Sequence, residues 1–266
     1  MPDQPPPAPR RHRLRISVRG LLALVLAIGG WLGWIVRSAQ VRRDAVAAIT
    51  RAGGWVDYDF QRLRSSTRGG YDNELEPPWP RGLVRHLGVD YFGHVERVGF
   101  LGSDAELDQV RRLGRLEQLL IDERSSVTDA GLRRIRGLKG LRSLGLKGTR
   151  VTDAGLECLG GLTGLERLDL GDTAIGDAGL AHLRGLTGIQ FLSLRGTRIT
   201  DAGLEDVGDL TRLESLVLAE TRVTDSGLRH LKRLAGLRVL KLWETGATDA
   251  GVRELRRTLP NLTIVR

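Results

Sequence analysis

A 24-residue unit repeats along the chain from Val127 onward. The first two units read VTDAGLRRIRGLKGLRSLGLKGTR and VTDAGLECLGGLTGLERLDLGDTA. Three more units follow up to residue 246, a partial unit closes the chain, and weaker copies extend back to Val95. One unit of this length cannot bury its own leucines, so successive units must stack and share a continuous core. The repeat therefore predicts an elongated solenoid over residues 95–266.

Each unit combines a strand pattern with a helix-start pattern. The leucines of L-x-x-L-x-L alternate as core-facing strand residues do, for example Leu141, Leu144 and Leu146. The segment T-D-A-G-L is predicted to begin a short helix, with the aspartate beside its positive end. In one unit Gly176 replaces the threonine, and there Asp177 is expected to cap the helix. The threonines predicted as N-caps are Thr152, Thr200, Thr224 and Thr248.

A second threonine of each unit follows the strand. A short hydroxyl side chain at this place can bond to backbone groups where the chain turns away from the sheet. We therefore expect a structural threonine ladder. Its members are Thr149, Thr173, Thr197, Thr221 and Thr245.

The combined pattern L-x-x-L-x-L-x-x-T-x-[VI]-T-D-A-G-L resembles that of leucine-rich-repeat proteins, specifically a bacterial type, over about residues 95–266. The resemblance implies an α/β horseshoe with a parallel β-sheet on its concave face and short helices on its convex face. A solenoid also needs capped ends. Residues 55–94 are interpreted as the N-terminal cap, with a strand over residues 55–60, an exposed loop over 61–80 and a short helix over 81–88. Leu262, Ile264 and Val265 are expected to supply a last strand.

Residues that alternate with the strand leucines point out of the concave face. In its N-terminal half these residues are small or charged, whereas the C-terminal half is apolar with a basic rim. Such a composition is typical of a protein-binding surface. Alternatively, phenylalanine and valine are there because they favour strands, and Trp243 packs against the C-terminal cap. The candidate binding residues are Phe191, Arg195, Val217, Val239, Lys241 and Trp243.

The N-terminal part of the chain indicates attachment to a membrane. Residues 1–19 are rich in proline and arginine and are predicted to be a disordered tail. Residues 20–36 read GLLALVLAIGGWLGWIV, and as a helix they would extend about 25 Å, close to the thickness of a bilayer core. Residues 37–53 are predicted to form a juxtamembrane helix ending at Gly53. The domains are therefore a tail, a single transmembrane helix, a juxtamembrane and cap region over 37–94, and the repeats.

Two other interpretations of residues 20–36 remain open. A cleaved signal peptide would have the same basic and apolar regions, although Ser38 and Ala39 offer a poor cleavage site among arginines. A buried core helix would normally show a polar face, which this segment lacks. The arginines before the segment slightly outweigh those after it, which favours a cytoplasmic N-terminus and an extracytoplasmic repeat domain.

Charge and motifs argue against several other functions. Most of the net charge of +9 comes from the arginines of residues 1–43, which flank the apolar segment and suit anionic lipids better than nucleic acid. Cys158 is the single cysteine of the sequence and is interpreted as a small core residue. His86, His94, His182 and His230 are interpreted as surface residues. Hydrolase, P-loop and zinc-protease motifs are absent, so we expect no catalysis, cofactor, metal or small-molecule substrate.

The sequence thus predicts a single-pass membrane protein whose repeats bind a protein partner through the concave face. The identity of the partner stays open, and so does the choice between a protein and a polysaccharide ligand. The alternative is a structural envelope protein that associates with itself. A third possibility, a repeat adaptor for a modifying enzyme, has no recruitment motif in this chain.

Overall fold

The computed structural model describes residues 18–60, 79–80, 88–91 and 93–266. The predicted helix over 81–88, His86, and nearly all of the predicted N-terminal tail and of the loop over 61–80 lie outside the described residues. The strands are β1 Trp55–Tyr58, β2 Val95–Phe100, β3 Gln118–Ile121, β4 Ser143–Gly145, β5 Arg167–Asp169, β6 Phe191–Ser193, β7 Ser215–Val217, β8 Val239–Lys241 and β9 Thr263–Val265. The α-helices are α1 Val18–Arg51, α2 Leu107–Arg111, α3 Asp129–Ile135, α4 Asp153–Leu156, α5 Asp177–Leu180, α6 Leu204–Val207, α7 Asp225–Leu228 and α8 Asp249–Thr258. Short 3₁₀ turns occupy Val89–Tyr91, Glu157–Leu159, Ala181–Leu183 and His230–Arg233.

These strands form one sheet in chain order, from β1 to β9. From β2 onward each strand pairs in parallel with the next, and equivalent residues of successive units lie side by side, for example Leu144 beside Leu168 and Leu168 beside Leu192. This register follows from the repeat, because a one-residue slip would turn every strand leucine out of the core. A parallel, in-register sheet with helices on its other side confirms the predicted leucine-rich-repeat solenoid.

The core is one continuous column of aliphatic side chains. The leucines of L-x-x-L-x-L are buried in each unit, and the leucine of T-D-A-G-L meets them from the helix side. Leu168, Leu192 and Leu216 have no exposed surface. Burying such a side chain contributes about 1.5–3 kcal/mol relative to exposure, so the stability of each unit depends on its neighbours.

Helix α1 closes the N-terminal end of this column and extends far beyond it. The predicted apolar and juxtamembrane segments form a single helix of 34 residues. Its first half is exposed, with Leu26 75% accessible, whereas Ala39, Ala45 and Ile49 are buried in the second half. Ala45 and Ile49 join the repeat core. The second half of α1 therefore serves as part of the N-terminal cap.

Strand β1 completes this cap. It pairs antiparallel with β2 and so covers the first edge of the parallel sheet. Gly53 adopts a φ of +83° just beyond the helix, a conformation that suits glycine at a helix C-terminus. A Cβ at Gly54 would lie 2.5 Å from the carbonyl oxygen of Gly99, so only glycine lets the chain turn this close to β2.

The C-terminal end is closed by a longer helix and a last strand. Helix α8 has ten residues and buries Val252 and Leu255. Leu259 and Leu262 cover the end of the core, and Thr263–Val265 forms β9. The last strand is thus present where the sequence predicted it.

Candidate functional site

The spacing of the repeats depends on a ladder of aspartates on the helix side. In the T-D-A-G-L segments, each aspartate accepts hydrogen bonds from the next unit: Asp177 Oδ1 accepts from the Thr200 amide at 2.8 Å, and Asp177 Oδ2 from its hydroxyl at 2.6 Å. The same pair of bonds joins Asp129 to Thr152, and Asp225 to Thr248. The threonine hydroxyl thereby links neighbouring units. The bond from Thr248 is the first cause of a lowered pKa at the Asp225 carboxyl.

The capping roles expected from the sequence are partly confirmed. The hydroxyls of Thr224 and Thr248 accept bonds from their own helix starts, whereas Thr152 makes no side-chain capping bond. The expected cap at Thr200 is wrong, because α6 begins at Leu204 with Gly203 as its N-cap, although the Thr200 hydroxyl accepts a bond from the Ala202 amide at 3.3 Å. The expectation that Asp177 caps the helix after Gly176 is wrong. Gly176 is the N-cap without a side-chain bond, and the Asp177 carboxylate is engaged by the next unit instead.

This ladder also explains the glycine of T-D-A-G-L. A Cβ at Gly203 would lie 2.4 Å from Asp177 Oδ1, and the same clash recurs at Gly155 with Asp129. The glycine is needed for close approach between units. In the first unit Glu106 occupies this position, where no preceding aspartate stands, and its carboxylate accepts a bond from the Ser103 amide at 2.8 Å.

The turn after each strand is stabilised within its own unit. Each ladder threonine donates its hydroxyl proton to the carbonyl oxygen three residues earlier, at 2.5–2.7 Å, which confirms the predicted structural role. The residue before each threonine has a positive φ. This position holds glycine twice and an acidic residue three times: Gly148, Asp172, Gly196, Glu220 and Glu244. A line of acidic side chains therefore runs along one edge of the concave sheet.

The concave patch is defined as the six candidate residues Phe191, Arg195, Val217, Val239, Lys241 and Trp243. All six lie on, or just beyond, strands β6 to β8. The first column across the sheet runs from Phe191 through Ser215 to Val239, and the second pairs Val217 with Lys241. Five members are half-buried, whereas Val217 is only 7% exposed. Val217 therefore forms the floor of the concave patch rather than its accessible surface.

Charged side chains hold the aromatic residues of the concave patch in place. The Arg167 guanidinium lies 4.3 Å from the ring centre of Phe191, and the Lys241 ammonium lies 5.6 Å from that of Trp243. Arg195 donates two hydrogen bonds to Glu220 Oε1, at 2.9 and 2.6 Å. That hydrogen bonding is the first cause of the raised pKa of Arg195. Part of the basic rim is thus neutralised by the acidic edge.

Comparison with known proteins agrees with this architecture. A family model described as "Leucine Rich repeat" matches residues 162–183, which contain β5 and the helical segment that follows it. The chain therefore carries a leucine-rich repeat within a solenoid of the leucine-rich-repeat fold. No functionally curated protein matches its sequence.

Two solved structures with similar repeats are internalins from Listeria monocytogenes. One is 20% identical with a TM-score of 0.50, covering 62% of this chain and 47% of that one. The other, internalin C2, is 22% identical with a TM-score of 0.49, covering 65% of this chain and 80% of that one. The chain thus spans about half the length of the first. The likeness to that first structure establishes a shared fold.

Two exposed apolar residues of this leucine-rich-repeat protein were missed by the sequence analysis. Leu120 is 40% exposed on β3, and Val265 is 43% exposed beside Lys241 on β9. Leu120 could have been found by extending the outward alternation back into the weaker copies. Val265 was assigned only to the last strand, although it occupies an outward position of the second column.

The other residues singled out in the sequence lie away from the concave patch. His182 and His230 sit in 3₁₀ turns on the helix side, and Cys158 is partly buried against the core. His94 lies 3.6 Å from Asp59 near the N-terminal cap. Within the described part of the chain, no group of three or more potential metal ligands converges.

Proposed function

We propose that this leucine-rich-repeat protein is anchored in a membrane by α1 and binds a protein partner through the concave patch. The observation that carries the proposal is the cluster of half-buried aromatic and aliphatic side chains on the C-terminal half of the sheet. Phe191 and Val239 lie two strands apart, which corresponds to about 10 Å. Trp243 follows the end of β8 and extends the cluster.

The physical argument rests on rigidity and composition. Neighbouring strands are held in register by main-chain hydrogen bonds, so the apolar side chains are ordered before a partner arrives and lose little entropy on binding. Aromatic residues with arginine beside them contribute most of the energy at typical protein interfaces. Arg167 provides such a neighbour to Phe191 here. The partner would present an apolar centre and an acidic rim facing Lys241.

Membrane attachment is supported by the length and exposure of α1. The helix is long and apolar enough to cross a bilayer, a property that signal sequences share. Its apolar half makes no contact that buries it, while its second half is built into the cap through Ala39, Ala45 and Ile49. Cleavage after Ser38 would cut this continuous helix at the start of its buried half. A retained anchor fits this arrangement better, with the N-terminus in the cytoplasm and the repeats outside.

Site-specific photocrosslinking in the native membrane tests the interaction face. A photoreactive residue at Ser215, between Phe191 and Val239, is compared with one at Thr187, which is exposed in the turn between the 3₁₀ segment Ala181–Leu183 and β6. A discrete adduct to one other protein from position 215 alone supports the proposal. An adduct to a second copy of this chain would support the self-associating envelope protein, and equal adducts from both positions would refute the concave assignment.

Binding by the full chain then measures the contribution of the concave patch. The variant Phe191→Ala/Trp243→Ala should weaken binding of the crosslinked partner by at least about tenfold, since buried aromatic residues dominate interface energies. Leu120→Ala is the matched control, because it removes an exposed apolar side chain from the other end of the same face. Equal loss in both variants would contradict a localised patch.

A further inference from the structure

A cleft of about 580 Å³ lies where α1 leaves its apolar half and meets the first repeat. Trp34, Arg37 and Arg42 line it from the helix. Arg112 and Arg115 line it from the turn between α2 and β3. Residues about 75 positions apart in the sequence are thus brought to one place by the packing of α1 against α2.

Four arginines make the cleft basic. In that part of the chain, no carboxylate lies within 4.0 Å of the Arg37, Arg112 or Arg115 guanidinium. Arg42 donates to the Asp90 carbonyl oxygen, at 3.2 and 2.7 Å, which orients its side chain. Guanidinium groups that line one cleft without acidic partners can bind a phosphate through paired hydrogen bonds.

Arg112 and Arg115 are departures from the repeat. In each of the next three units both equivalent positions hold glycine, at residues 137 and 140, 161 and 164, and 185 and 188. In the two units after those, one of the two positions holds arginine, at Arg212 and at Arg233. The turn therefore accepts either glycine or arginine, and the fold does not require the two arginines. The unit that contacts α1 differs in having arginine at both positions, and so brings two guanidinium groups to the side of the anchor.

The position of the cleft along α1 places it beside lipid headgroups. The uncharged stretch of α1 ends at Val36, so Arg37 and Arg42 follow about 1.5 and 9 Å further along the helix axis. The headgroup region on each side of a bilayer is about 5–8 Å thick, so Arg37 falls within it and Arg42 at its outer boundary. Trp34, one turn before the cleft's arginines, is 67% exposed, as expected for an aromatic residue at the membrane interface.

We propose that this cleft binds the phosphate of an anionic phospholipid, with Arg37, Arg42, Arg112 and Arg115 as its ligands. The inference rests on the membrane anchoring proposed above. A free phosphate shares the same chemistry, but the cleft opens at headgroup depth beside a membrane-spanning segment, which favours the lipid. Bound lipid would fix the tilt of the repeat domain on the membrane and so orient its concave face.

The test uses the full chain purified in detergent and in phosphatidylcholine vesicles. Native mass spectrometry counts bound lipid as phosphatidylglycerol is titrated against phosphatidylcholine. The wild-type chain should retain one phosphatidylglycerol molecule in preference to phosphatidylcholine. Binding by Arg112→Gln/Arg115→Gln should be weaker by about 5-fold for each arginine removed, so about 25-fold for the pair.

The matched control is Arg133→Gln/Arg136→Gln, which removes the same charge from exposed positions of the next unit. It should bind phosphatidylglycerol as the wild type does, which separates a site from general charge attraction. Because Arg112 and Arg115 are exposed, the cleft variant should keep the wild-type circular dichroism and urea midpoint. Arg37→Gln, on the other wall of the cleft, provides a second, independent variant with the same expected direction.

The outcomes distinguish this inference from the proposed function. Insertion into vesicles without preference for phosphatidylglycerol, or equal loss in the cleft and control variants, would overturn the lipid site and leave the anchor standing. Inorganic phosphate that binds alone and displaces phosphatidylglycerol would replace the lipid with a free anion. Failure of the full chain to insert at all would overturn the anchor, and the lipid site with it.

Discussion

Replacing Gly203 by alanine should destabilise the solenoid, chiefly through one contact between repeat units. The new Cβ would lie 2.4 Å from Asp177 Oδ1 and 3.0 Å from Leu180 Cδ1. The φ of Gly203 is −66°, which alanine adopts readily, so the backbone itself is not strained. The effect therefore isolates the close approach between two repeat units.

The expected magnitude follows from the bonds that the Asp177 carboxylate must give up. To reach ordinary contact distance the carboxylate has to move by about 1 Å, which breaks its bonds to the Thr200 amide and hydroxyl. Two hydrogen bonds to a charged acceptor at a partly exposed site amount to about 3 kcal/mol. Alanine recovers about 0.4–1 kcal/mol by restricting the unfolded chain. The free energy of unfolding should fall by about 2–3 kcal/mol.

Urea unfolding of the full chain, followed by circular dichroism, measures this loss. Gly185→Ala is the control, because nothing lies within 4 Å of a Cβ at that exposed glycine, and it should change stability by less than about 0.5 kcal/mol. In the Asp177→Ala background, Gly203→Ala should have a much smaller effect, because only the contact with Leu180 remains. A loss below about 0.5 kcal/mol for Gly203→Ala, or an undiminished loss in that background, would refute the reasoning.

Three other perturbations test separate parts of the structure. Thr221→Val removes a buried hydroxyl that donates to the Leu218 carbonyl at 2.6 Å, and should lower the free energy of unfolding by about 1–2 kcal/mol in urea titrations. Burial, and then a hydrogen bond to a carboxylate, raise the pKa of Tyr58, so stability should fall as pH rises above about 10, and less so in Tyr58→Phe. The lowered pKa of Asp225 contributes stability above about pH 3.9 that is lost on acidification, so Asp225→Asn should flatten the acid limb of unfolding curves.

Each of these expectations has its own control. Thr221→Ser retains the hydroxyl and should recover most of the loss seen with valine. If the urea midpoint falls in alkali by the same amount in the wild type and in Tyr58→Phe, the loss of stability does not come from ionisation of Tyr58. For Asp225, an unaltered acid limb in the asparagine variant would show that the bonds from Thr248 are not the source of its shifted pKa.

The repeat made much of this structure predictable. The 24-residue period requires equivalent residues to lie side by side, so the strand leucines and the ladder threonines could be assigned before any coordinates. The contacts of the aspartates could not be assigned in this way. Asp177 contacts Thr200 only because stacking brings residues one unit apart within hydrogen-bond distance. Helix propensity alone could assign it only to its own helix.

The sequence predicts that the side chains of the concave patch point out of the sheet, but it does not predict how far each is exposed to solvent. Alternation shows that Val217 points outward from its strand, yet whether solvent reaches it depends on the side chains of the flanking strands. The ion-pair partner of Arg195 on its charged rim could not be predicted either. Glu220 lies in the following unit, and its positive φ gives no signal in the sequence because glycine is the residue usually found there.

The sequence by itself determined the solenoid, its parallel sheet and the residues of its core, because a repeating hydrophobic pattern has one way to bury all its units at once. Only the tertiary structure decided how the ends are built. The apolar and juxtamembrane segments form one helix, and its Ala45 and Ile49 pack on the otherwise open end of the repeat core. That same packing placed Arg37 and Arg42 opposite Arg112 and Arg115, a meeting of distant residues that no local pattern encodes.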